Sequence, residues 1–227
     1  IVDARATEKS PTCEQNGFEL LDAPLERDID FLDHTSVVLD YYPMCEALVA
    51  GVTGAQAYAF DHNIRSASGQ ANKASVHEGQ NVQGPAHVVH GDYTLQSAPD
   101  LGLPPSGNDT LKGLLPDGQA LLPQGIEGKR YAIINVWRNI VDEPVVTHPL
   151  ALCDAQTVEP DELVVFEIHY TDRIGENYFA KHAESHRMYY YPMMTKDEAL
   201  LIKQWDSAGA LAQSDGQQGD SSSPESP

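Results

Sequence analysis

The chain has 227 residues, 41% of them hydrophobic and 21% charged, enough to enclose the core of one sizeable domain. Its 34 acidic residues against 14 basic ones leave a formal net charge of −20. That balance excludes a surface built to neutralise phosphates, so neither nucleic acid nor an anionic membrane is an expected partner. The expected ligand is a small, largely neutral molecule, or one held through a metal.

No apolar run has the length of a membrane span, and no basic-then-apolar leader is read at Ile1. Cys13, Cys45 and Cys153 are far apart and form no C-x-x-C pair. An odd count at that spacing fits neither a disulfide framework nor a zinc site, and the expected location is the reducing cytoplasm.

In chain order, "NGFELLDAP" (16–24) reads as a turn entering a short strand. Apolar residues at helical spacing follow in 28–55, with the helix expected over Asp40 to Ala50 and its stop at Gly51 or Gly54. "AQAYAFDHNIRS" (55–66) alternates as a half-buried strand would, residues 66–84 read as a polar loop, and "AHVVHGDYTLQ" reads as a second strand. Residues 97–129 are crowded with Pro and Gly.

"RYAIINVWRNI" (130–140) is the strongest strand by β-branched and aromatic content. "HPLALCDAQTV", "DELVVFEIHY" and "ENYFAKHAESHRMYYYPMM" supply further strands. "TKDEALLIKQWDS" (195–207) reads as a short amphipathic helix capped by Thr195. Residues 208–227 lack large apolar side chains beyond Leu211 and are expected to be a disordered tail after a single domain over 1–207. Many strands with few helices predict a mainly β fold, a barrel or double-sheet jelly roll.

One triplet carries chemistry. His90, Gly91 and Asp92 form an H-x-D in "HVVHGDYT". Residues i and i+2 of a strand share a face, so His90 and Asp92 would stand side by side. An imidazole and a carboxylate converging on one point make two thirds of the facial triad that holds non-haem Fe(II). The spacing alone favours the plainer reading, a strand histidine beside a solvated aspartate.

Seven segments, "GFELLDAP", "YYPMCEALVAGVTGA", "FDHNIR", "VVHGDYT", "INVWRNIVDEPVVTHPLALCDA", "GENYFAKHAESHRMYYYP" and "DEALLIKQWDS", occur in one order. Together they resemble the AsaB- and CmcJ-like hydroxylase/desaturases related to gibberellin desaturase, oxygenases of fungal and bacterial secondary metabolism. The resemblance implies a double-stranded β-helix (jelly-roll, cupin-like) core with peripheral helices. It also implies Fe(II) and 2-oxoglutarate, with hydroxylation or desaturation of a small secondary metabolite. The family's H-x-D iron ligands fall on His90 and Asp92.

After the K-x-x-D-S segment, members of that family continue into a P-H-T-A-F-like stretch and an arginine-bearing strand. These supply the third ligand and the 2-oxoglutarate anchor. Residues 208–227 contain no histidine and no arginine. Asn139 and Met188 stand where proline and tryptophan are usual.

This departure keeps a second reading beside the enzyme: a non-catalytic relative acting as a binding or partner subunit. An unpaired sheet edge is then expected to favour a homodimer. His186 is the first substitute for the missing ligand, against a plain hydrogen-bonded role near a strand end. Arg138 is the candidate to meet 2-oxoglutarate, against a structural pair with Asp154. His182 lies in the same segment as His186, His62 reads as a pocket or structural residue, and His77, His87, His148 and His169 as ordinary surface or packing histidines.

Overall fold

The computed structural model describes residues 1–66, 82–98, 129–169 and 174–214. The expectations placed on 67–81, 99–128, 170–173 and 215–227 lie outside the described residues.

Thr12 caps a one-turn helix α1 (Cys13–Asn16), accepting from the Gln15 amide, and Gly17 ends it at φ +83. The chain then enters strand β2 (Phe18–Asp22), the expected turn and strand. A short strand β1 (Val2–Asp3) precedes both. Helix α2 (His34–Ser36) runs through a π-helical turn (Val37–Tyr41) into α3 (Tyr42–Thr53). Pro43 in the first turn and Gly54 at φ +67 bound α3, each where its backbone geometry is favoured.

The remaining elements are strands: β3 (His90–Gly91), β4 (Ala132–Arg138), β5 (Ala151–Cys153), β6 (Leu163–His169), β7 (Ile174–Ala180), β8 (Met188–Tyr190) and β9 (Glu198–Asp206). They form three three-stranded sheets, ordered β1-β8-β5, β2-β9-β4 and β3-β7-β6. The body is mainly β with helices at its margin, as the strand density predicts.

Three expectations are corrected. Residues 198–206 are a strand, not a helix, and that strand is the centre of its sheet. Leu200 and Leu201 are both at 0% exposure. Adjacent strand residues point to opposite faces, so both faces of β9 are covered and its apolar run is continuous. Thr195 serves the turn before the strand instead, its amide donating to Glu198 Oε2 and its carbonyl accepting from the Glu198 amide.

Residues 55–66 form no strand; their sheet-like pairing is a single bridge from Arg65 to Gln83. Of the strand expected over 86–96, only His90–Gly91 is strand, and Thr94 to Ser97 close a turn through the Ser97 hydroxyl and the Thr94 amide.

Register fixes which side chains meet. Phe18 pairs with Ile202, Leu20 with Leu200, Leu200 with Trp137 and Ile202 with Asn135, so these six share one face of the central sheet. Phe18 and Leu200 lead the larger core cluster with Leu152, Tyr191 and Met194. A second cluster joins Ile133, Trp205 and Ala98. Leu211 and Ala212 pack against it, so the segment after Ser207 begins with a turn folded onto the sheet.

Candidate metal centre

His90, in β3, and Asp92, in the bend just past it, come together. His90 Nε2 lies 3.5 Å from Asp92 Oδ1. The other ring nitrogen, Nδ1, is 2.9 Å from the Val88 carbonyl. A carbonyl only accepts, so Nδ1 carries a proton, and the neutral form of the ring has its lone pair on Nε2, beside the carboxylate. That is the tautomer a metal-binding histidine needs, fixed by the bond at its other nitrogen.

Two residues hold the aspartate. Asn135 Nδ2 donates to Oδ2 at 3.3 Å, leaving Oδ1 turned to the imidazole. Gln204 Oε1 accepts from the Asp92 amide at 3.1 Å. Gln204 lies two residues past Ile202, on the β9 face that Ile202 shares with Asn135, where β4 and β9 slip register between Ile133 and Ile134. Ile134 pairs with Lys203 and Ile133 with Trp205, so Gln204 is the extra residue of a bulge.

Sequence reasoning missed both residues. A signal did exist for Asn135, a polar amide inside the apolar run "AIINVWR". None existed for Gln204, because a bulge depends on the pairing of two distant strands. Gly91 is less demanding than the triplet suggests, since an added Cβ would meet Gln204 Oε1 at an ordinary 3.9 Å.

The other candidates lie apart from this pair. Arg138 does not pair with Asp154: its guanidinium donates to the Lys196 carbonyl and the Tyr41 hydroxyl, and stacks over the Tyr41 ring. Asp154 accepts instead from Asn16 Nδ2 and the Gln156 amide. Arg138 and Asn135 stand three apart on a regular strand, so they face opposite sides of the sheet. The arginine therefore points away from the H-x-D side.

His186 Nε2 sits 2.9 Å from Glu162 Oε2, with its side chain 9% exposed. That is the hydrogen-bonded role near a strand end. Tyr189 and Tyr191 both touch the Phe18 ring, which leaves Tyr190 on the other side as alternation predicts. Among the described residues, no third His, Cys, Asp or Glu completes a metal-sized group.

Comparison with known proteins places this geometry. The family described as an oxidoreductase/YMDC permease-like domain matches residues 1–218. The chain belongs to that oxidoreductase family. Despite the family's description, no helix among the described residues is long and apolar enough to cross a membrane.

The chain is 48% identical over 152 residues to an uncharacterized protein in the dcmA 3′ region of Methylophilus leisingeri, covering 62% of this chain and 69% of that protein. It is 32% identical over 177 residues to the Fe(II)/2-oxoglutarate-dependent dioxygenase NvfI of Aspergillus novofumigatus. That match covers 77% of this chain and 56% of NvfI, so the chain spans about half the length of this relative. A hydroxylase/desaturase of Hormonema carpetanum, EfuI, is 26% identical across 91% of this chain and 70% of its own.

The solved structure of NvfI, an iron and alpha-ketoglutarate-dependent endoperoxidase, superposes with a TM-score of 0.70 at 25% identity. It covers 91% of this chain and 71% of NvfI. The family membership read from the seven segments is thus borne out, and so is the jelly-roll core.

Proposed function

We propose that this chain carries the iron-binding half-site of an Fe(II)- and 2-oxoglutarate-dependent oxygenase that hydroxylates or desaturates a small secondary metabolite. The observation that carries the reading is the His90 lone pair beside the Asp92 carboxylate at 3.5 Å, in a chain that aligns along most of its length with an oxygenase of that class. The donor chemistry fits: one neutral imidazole nitrogen and one carboxylate oxygen suit Fe(II) at two adjacent positions.

When bound, iron and 2-oxoglutarate supply the oxidising power to take hydrogen from an unactivated carbon. The chain's own residues set the stage for it. The Val88 carbonyl holds the His90 tautomer, Asn135 orients Asp92, and Gln204 pins the backbone between the two ligands. Arg138 is left out of the site, because its side chain is spent on Tyr41 and Lys196.

The test is succinate release from 2-oxoglutarate with Fe(II) and ascorbate. Release by the wild type and its loss in His90→Ala supports the reading. Equal release by both removes His90 from the metal.

A further inference from the structure

Strand register fixes what stands beside the His90 imidazole. His90 pairs with Phe179, and Phe179 pairs with Val164. Directly opposed residues of antiparallel strands share a face, so all three point to one side of the β3-β7-β6 sheet. Phe166 and its partner Asn177 continue that side, as does Ile168. The acids fall on the other side, where Glu167 stands opposite Glu176 and holds His169. His90 is thus the one titratable residue on an otherwise uncharged face of these strands.

The same face carries an aromatic stack. The rings of Phe166 and Phe179 lie with centroids 4.7 Å apart and planes 16° from parallel. The stack starts on the cross-strand neighbour of His90 and ends on Phe166, which is 47% exposed. Strand β6 is an edge of its sheet, where an exposed apolar ring is a liability. An open apolar surface beside a polar group marks a place where a ligand is taken up.

We propose that Phe166 and Phe179 are substrate-binding residues that take a flat, unsaturated, uncharged ring, which extends their stack and lies beside His90. The inference deepens the oxygenase reading and rests on it in taking the His90 face for the substrate side. Stacking selects for flatness, because a saturated ring offers no π-face to Phe166. The face presents no cation to an anionic ring, and the net charge of −20 repels one. The same charge opposes a second copy of the chain at this edge.

The experiment uses the full, metal-free chain with 13C-labelled phenylalanine and histidine, and 2-naphthol as the probe. 2-Naphthol should move the ring resonances of Phe166, Phe179 and His90 together, along one saturation curve. Phe166→Leu keeps an apolar side chain but loses the flat ring. It should weaken 2-naphthol about 2- to 10-fold, the range of one aromatic pair. Decahydro-2-naphthol, the same frame without the flatness, should bind the wild type and Phe166→Leu equally. Phe166→Tyr keeps the ring and should hold 2-naphthol within about twofold of the wild type.

Equal affinity of the wild type and Phe166→Leu for 2-naphthol would overturn the proposal. So would shifts on the phenylalanines that leave His90 still, which would place the ring away from the metal side. Phe166 resonances that move with protein concentration alone would give the face to a second copy and overturn it as well. Failure of Co(II) to bind at His90 and Asp92, with the naphthol shifts intact, would strike the oxygenase reading alone.

Discussion

At the scale of single residues, the supports of the H-x-D pair should matter almost as much as the pair. Removing a group that orients a metal ligand commonly lowers metal affinity about 10- to 100-fold. Asn135→Ala and Gln204→Ala should therefore each weaken Co(II) binding, measured anaerobically by its absorption, by about that factor, with His90→Ala and Asp92→Ala losing more. His186→Ala should leave the affinity unchanged, because its ring is engaged with Glu162.

Asp206 is a second residue-scale case. Desolvation pushes its carboxyl up, but hydrogen bonds from Arg130, the Ala208 amide and Lys203 prevail, and it lies well below the usual carboxylate range. A depressed folded pKa gives stability that is complete above the unfolded value and is lost as pH falls through the folded one. Asp206→Asn should cost about 1–2 kcal/mol at pH 7. Urea titrations should show that difference shrinking as the pH is taken below about 4, the ordinary aspartate value.

At the scale of elements, β9 is the member whose loss is felt most widely, since it pairs with both β2 and β4. Leu200→Ala and Leu201→Ala each open a void at a fully enclosed position. Each should cost about 2–5 kcal/mol in denaturant unfolding, through lost burial and the cavity left behind. The turn into β2 is the other sensitive element. Gly17 adopts φ +83, and an added Cβ would meet Ala155 Cβ at 3.3 Å. Gly17→Ala should lower stability by about 1–2 kcal/mol from the left-handed backbone alone, and the close contact adds to it.

At the scale of the whole molecule, the net charge of −20 sets the behaviour in salt. Self-repulsion of like charges opposes compaction, and salt screens it over about 10 Å at 0.1 M. The melting temperature should rise between low salt and 0.3 M sodium chloride. A melting temperature that falls instead would mean that specific ion pairs, such as Arg130 with Asp206 and Glu14, outweigh the global repulsion.

The sequence alone determined the pieces governed by local chemistry. Strands β4 and β6 follow from β-branched runs, and α3 from its spacing and its glycine stop. The family was legible for a similar reason: seven short segments in fixed order identify a fold that none of them specifies alone.

Tertiary structure decided the rest. Residues 198–206 read as a helix because their caps and polar spacing suit one. They became a strand because β2 and β4 cover both faces, a burial that no single-chain period records. The direction of Arg138 was settled by which face of β4 meets Tyr41. Gln204 joined the H-x-D pair only because β4 and β9, whose paired residues lie 61 or more apart in sequence (Arg138 with Ala199), assemble side by side. Propensity and spacing act within a few residues, whereas register, bulges and the choice of a buried partner are properties of the assembled sheet.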